Sequence, residues 1–157
     1  MSAGWAPDER GTMRGVRADL GQVVPWRNGR GTTREVVRVP DRDDWDWRLS
    51  VATSAAAAPF SSYPGVEREL LLLSGTALEL RVAGSPPVRL VPGQSHRFAG
   101  EAAVSGVPEG GPTTQLNLMW RRDRVAARLV LGAAPPPAVP VEGLDLAVHV
   151  RLAPSTG

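Results

Sequence analysis

Alternation with a period of two recurs along this chain, and a segment that alternates apolar with polar residues can bury one face only as a strand. Trp45, Trp47, Leu49 and Val51 share one phase, with Asp46, Arg48 and Ser50 in the other. Leu78, Leu80 and Val82 alternate with Glu79 and Arg81. Leu116, Leu118 and Trp120 alternate with Gln115, Asn117, Met119 and Arg121. Near the end, Leu144 to Leu152 alternates with Asp145 to Ala153. Leu70–Leu73 is a short apolar run that suits a strand buried on both faces, and Val125–Leu131 continues the series. Thr32 to Val39 is β-branched and favours a strand, although Arg34, Arg38 and Arg42 at spacing four also fit a helix. The 17 Gly and 15 Pro punctuate these segments. Residues 54–65 form a loop that ends in Pro64-Gly65, and Gly106–Pro112 is a second loop. Ser74-Gly75-Thr76 predicts a β-hairpin, and Val88–Val91, Pro92-Gly93 and His96–Phe98 a continuing meander. Eight to ten short strands imply an all-β sandwich, jelly roll or barrel.

The 157 residues suit one domain over 20–153, with a loose lead-in over 1–19 and a tail over 154–157. Ala133–Pro140, with four Pro, reads as a stiff connector before the last strand. There is no Cys, which excludes thiol nucleophiles, thiolate metal sites and disulfides. All 18 basic residues are Arg, which excludes a P-loop and Schiff-base chemistry. No signal peptide or run long enough to span a bilayer is visible, so the expectation is a cytoplasmic protein with no membrane partner. Arg27, Arg30, Arg34, Arg38 and Arg42 beside Trp26 resemble a nucleic-acid strip, but Asp41, Asp43, Asp44 and Asp46 adjoin it and would repel phosphate. The formal net charge is only +2, so no nucleic-acid partner is expected.

His96 and His149 are the only histidines, with no second one near either, so no metal and no other cofactor is expected. Gly93-Gln94-Ser95-His96 is not a nucleophile elbow, and Gly29-Arg30-Gly31-Thr32 lacks the third Gly and the helix of a dinucleotide site. More telling are the only two Asn, Asn28 and Asn117. Asn117 lies mid-strand, where an amide is disfavoured unless it has a partner. Arg48 and Ser50 share one strand face in the same way. On a solvent-facing sheet they would be ordinary polar residues. Lining a barrel interior, they would make a pocket with a guanidinium fork, a hydroxyl and an amide, suited to a small organic acid.

Four blocks together resemble the HutD/Ves family. They are Pro25-Trp26-Arg27-Asn28-Gly29-Arg30-Gly31-Thr32-Thr33-Arg34-Glu35, Trp45-Asp46-Trp47-Arg48-Leu49-Ser50-Val51-Ala52, Pro59-Phe60-Ser61-Ser62-Tyr63-Pro64-Gly65-Val66-Glu67-Arg68, and Leu116-Asn117-Leu118-Met119-Trp120-Arg121-Arg122. The resemblance covers about residues 20–131. It implies a cupin-type jelly-roll β-barrel, bicupin-like with a trimmed second half, which a homodimer could cover. It also implies proteins encoded beside histidine-degradation genes that regulate or sense rather than catalyse. Carried over, the ligand-binding positions are Trp26, Asn28, Thr33, Glu35, Arg48, Ser50, Arg68 and Asn117. Arg48 would grip a carboxylate, Asn28 and Asn117 would read polar atoms, Glu35 would meet a cationic or N–H group, and Trp26 would form an apolar wall. Two positions depart from the family pattern: Arg30 replaces a Gly, and Gln115 replaces an Asp.

The expected function is therefore non-catalytic binding of a small carboxylate from histidine breakdown, such as urocanate, formyl- or formimino-glutamate, or formate. One alternative is a metal-independent isomerase or hydrolase with Glu35 as general base and Arg48 as electrophilic clamp. Another is a protein-interaction module.

Overall fold

The computed structural model describes residues 12–13, 23–132 and 147–155, and among these every regular element is a strand. No helix there is long and apolar enough to cross a membrane. The central sheet has six strands in the order β2 (Val23–Pro25), β3 (Gly31–Val39), β4 (Trp47–Ser54), β11 (Thr113–Arg121), β6 (Val66–Ser74) and β9 (Ser95–Ala99). Facing it is a four-stranded sheet of β5 (Ala58–Pro59), β10 (Val104–Glu109), β7 (Ala77–Val82) and β8 (Val88–Leu90). Behind it lie β1 (Thr12–Met13), β13 (Ala147–Pro154) and β12 (Val125–Gly132).

The central sheet is buried on both faces, so its strands carry two apolar sets. Trp47, Leu49, Val51, Leu71, Leu73, Leu116, Leu118 and Trp120 pack with Ala127 and Val150 of the rear sheet. Leu70 and Leu72 point the other way, into Leu78, Leu80, Leu90, Phe98 and Val104. The Leu70–Leu73 run is thus apolar throughout because neither face meets water. Towards one end of the front face the apolar set gives way to Arg48, Ser50, Arg68, Gln115 and Asn117, and the two front sheets part there to leave a cavity.

The all-β jelly roll agrees with the sequence reading, and several local expectations are corrected. The sheets are separate, and among the described residues no strand pairing joins them into a closed barrel. Ser74-Gly75-Thr76 is not a hairpin turn: β6 pairs with β11 and β9, whereas β7 pairs with β10 and β8. The turn carries the chain from one sheet to the other, which lets Leu70 and Leu72 face Leu78 and Leu80 across the core. Pro92-Gly93 crosses back in the same way, so of the predicted meander only the step from β7 to β8 is an antiparallel pair, and it lies between two crossings. Thr32 to Val39 is a strand, and the helical alternative falls.

The expected loop at Gly106 is part of β10. A side chain there would come within 2.7 Å of the Phe60 ring, so the glycine makes room for that ring inside a strand. Ala58–Pro59, within the other expected loop, pairs with β10. Thr12–Met13, inside the expected lead-in, pairs with β13. Trp45 precedes β4 and packs with Val66 and Met119, apart from Trp47. The connector at 133–140 and residues 144–146 of the last alternating segment lie outside the described residues.

Candidate functional site

Register brings the polar residues of the front face together. Glu35 pairs with Ser50 across β3 and β4, and Ser50 pairs with Asn117 across β4 and β11. One step along, Arg48 and Arg68 both pair with Met119, one from each side of β11. Directly paired residues point to the same face, so two guanidiniums flank Met119 beside a row of carboxylate, hydroxyl and amide.

Trp26, Asn28, Thr33, Arg48, Ser50, Arg68 and Asn117 all line one cavity of about 500 Å³. Glu35 lines an adjoining recess that shares Trp26, Thr33 and Arg48 with it. At about 30 Å³ per water, such a volume holds on the order of fifteen waters, within the usual range for small-molecule sites. Residues not singled out from the sequence complete the walls: Phe60, Ser61, Tyr63 and Gln115. The first three belong to the Pro59–Tyr63 block of the family resemblance, where the spacing of two aromatics was the available signal. Phe98 had none, because its place beside Arg68 comes from pairing between β6 and β9.

Arg68 is the central feature. It is only 7% exposed, and among the described residues no carboxylate pairs with it. One terminal nitrogen donates to the Ser61 carbonyl at 3.2 Å and the other to Asn117 Oδ1 at 3.3 Å. Its buried Nε has no partner. The rings of Phe98, Phe60 and Tyr63 surround the guanidinium, with centroids at 5.1, 5.5 and 5.6 Å. Burial pushes its pKa down to about 10; Tyr63 opposes the shift and the nearby Arg48 charge adds to it.

Arg48 is better compensated. Its Nε makes no hydrogen bond but lies 3.6 Å from Glu35 Oε1, and its guanidinium sits 6.0 Å from the Trp45 ring. Glu35 is shared, since its other oxygen is 3.8 Å from Arg38.

The β2–β3 turn forms the outer wall. Trp26 Nε1 donates to Thr33 Oγ1 at 2.7 Å, and its ring meets Phe60 edge-on at 6.4 Å. Gly31 permits this, because a side chain there would run into the Thr53 carbonyl and come within 2.7 Å of the indole. Asn28 Oδ1 accepts from the Arg30 amide at 2.9 Å and so closes the turn, while its N–H groups have no hydrogen-bond partner among the described residues. The Arg30 guanidinium donates to the Ala57 carbonyl at 2.9 Å and ties the turn to the opposite wall.

Below the cavity Gln115 is fully buried; it accepts from Thr113 at 3.2 Å and donates to Ser54 at 2.6 Å. This neutral ladder holds the floor of the site. Among the described residues no group of three His, Asp or Glu is placed to hold a metal ion. His96 stacks on Phe98 at 6.4 Å, while the side chain of His149 is not among the described groups.

The family model for HutD matches residues 19–140, and the quoted blocks within that span are the ones that build this cavity. The chain belongs to the HutD family. A HutD structure from Pseudomonas fluorescens SBW25 is similar over 93% of this chain and 88% of its own, with 27% identity and a TM-score of 0.70. Protein Ves of Citrobacter koseri is 40% identical over 106 residues, 66% of this chain and 56% of Ves. An uncharacterised 21.2 kDa protein of the hutC 3′ region of Pseudomonas putida is 36% identical over 116 residues, 73% of this chain and 61% of that protein. The chain thus matches only 56–61% of the length of these two HutD/Ves relatives. Cupin proteins below 20% identity share the jelly-roll fold alone with this HutD chain.

Proposed function

We propose that this chain is a small-organic-acid receptor, a cytoplasmic sensor or sequestering protein for an intermediate of histidine degradation. One observation carries the reading: Arg68 is a buried guanidinium that faces the cavity with no carboxylate partner among the described residues. Burying a cation is costly unless it is paired, and the missing pair is what an anionic ligand supplies. Arg48, on the other side of Met119, adds a second cation, so a carboxylate bound between them is held by charge-assisted bonds. The Asn117 and Ser50 side chains then meet the polar remainder, and Trp26 and Phe60 its apolar part. The hutC-region relative supports the link to histidine breakdown.

The test is calorimetric titration of urocanate, N-formylglutamate and formate into the purified protein, with absorbance followed for turnover. Saturable binding of at least one acid, lost in Arg68→Met and weakened at least tenfold in Arg48→Ala, is the expected result. Consumption of a titrant would make the protein an enzyme, and heat unchanged by Arg68→Met would remove the basis of the reading.

A further inference from the structure

Arg48 joins the cavity by two routes to the segment 40–46 between β3 and β4, which is exposed at 41–44. The first is a file of alternating charges. Arg48 Nε lies 3.6 Å from Glu35, Glu35 lies 3.8 Å from Arg38 Nε, and Arg38 reaches Asp41 at 3.0 Å and Asp43 at 3.3 Å. The second is the Trp45 ring, 6.0 Å from the Arg48 guanidinium and 4.6 Å from that of Arg121.

The links of this file differ in strength. Arg38 with Asp41 is a hydrogen-bonded contact, whereas both contacts of Glu35 are long, and Arg48 Nε is buried without a hydrogen bond. Glu35 is therefore the loosest member, shared between two cations and firmly held by neither. An anion entering beside Arg48 competes with Glu35 for that guanidinium. Glu35 then belongs to Arg38 alone, and Arg38 is drawn away from Asp41 and Asp43.

We infer that occupancy of the cavity is transmitted through Arg48, Glu35 and Arg38 to the segment 40–46, freeing Asp41 and Asp43 on the surface. This rests on the anion-binding reading of the cavity and adds its output. The far end of the segment stays fixed, because Arg124 holds Asp44 at 2.8 Å and Asp46 at 3.1 Å, and Arg121 donates to the Trp45 carbonyl at 2.8 Å. The change is thus confined to residues 40–43. Coupling of this kind is the differential interaction that ligand binding needs in order to shift a conformational equilibrium.

The experiment is a titration of sodium formate against matched sodium chloride, read by two sets of nuclear magnetic resonances. The Trp26 indole N–H and the Asn117 side-chain amide report the cavity. Exchange of the Arg42 amide, bonded to the Pro40 carbonyl at 2.8 Å, and of the Asp46 amide, bonded to Val39 at 2.7 Å, reports the segment. The expected result is a saturable cavity shift together with at least fivefold faster exchange at Arg42 and little change at Asp46. In Arg38→Gln the cavity shift persists and formate no longer alters the exchange at Arg42. Asp41→Asn, outside the cavity, cuts the file at a second point and gives the same separation. A cavity shift without faster exchange at Arg42, or faster exchange that survives both substitutions, overturns the transmission and leaves the receptor reading intact. Absence of any cavity shift overturns both.

Discussion

Arg68 shows how one side chain can be costly to the fold and central to the site. Its pKa lies at about 10, below the ordinary arginine value, because burial disfavours the charged form. The unfolded chain holds that proton more tightly, so folding carries an electrostatic penalty that is present in full below pH 10. The penalty is relieved only as pH rises past that point. The three surrounding rings recover part of it. Arg68→Met, apolar and of similar reach, is therefore expected to stabilise the ligand-free protein by about 1 kcal/mol and to raise Tm by about 2–4 °C in a thermal scan. A fall of that size would show that the rings and the Ser61 and Asn117 contacts outweigh the burial. Ligand affinity in the parent protein should fall as pH is raised through about 10, where Arg68 loses its charge. The sequence made Arg48 the principal grip and Arg68 one of eight candidates. Pairing distinguishes the two, because Glu35 compensates Arg48 whereas Arg68 faces aromatic rings, and neither relation follows from spacing along the chain.

At the scale of elements, alternation located most strands but not their neighbours. Apolar phase says which residues turn inward, and the same phase serves a hairpin partner or a strand across the core equally well. That is why Ser74-Gly75-Thr76 and Pro92-Gly93 read as hairpin turns and are crossings between sheets. Gly106 and Pro108 read as loop because glycine and proline weaken a strand in isolation, while β10 is held between β5 and β7 and leaves space for Phe60. The β2–β3 turn was visible as a motif, and its mechanical role now explains the composition of that motif. Gly31→Ala drives a methyl group into the Thr53 carbonyl and the Trp26 ring. We expect a loss of about 1–3 kcal/mol in urea unfolding and a changed Trp26 indole resonance as its bond to Thr33 breaks. Unchanged stability and resonance would mean that the wall adjusts without cost.

For the molecule as a whole, the jelly roll is open where its two front sheets part, and a ligand bound there would span strands of the central sheet and the β5 region of the sheet facing it. Residues of β3, β4, β6, β11 and the β5 region all meet in the cavity, so binding stabilises the native state relative to every unfolded form. A ligand at one hundred times its dissociation constant should add about 2.7 kcal/mol and raise Tm by about 5–11 °C, an increment absent in Arg68→Met. The resemblance of motifs anticipated this architecture better than periodicity did, since it carries the order of crossings that local pattern lacks. The three rings around Arg68 have a further consequence. Phe60, Tyr63 and Phe98 form an aromatic cage, an arrangement that elsewhere captures cationic ligands, and here the chain fills it with its own guanidinium. Emptied by Arg68→Gly, the cage should take up free guanidinium from solution, and that added ion should restore the affinity for urocanate. The cavity's charge at that end would then reside in one replaceable plug, with Arg48 as the cation left in the wall around it.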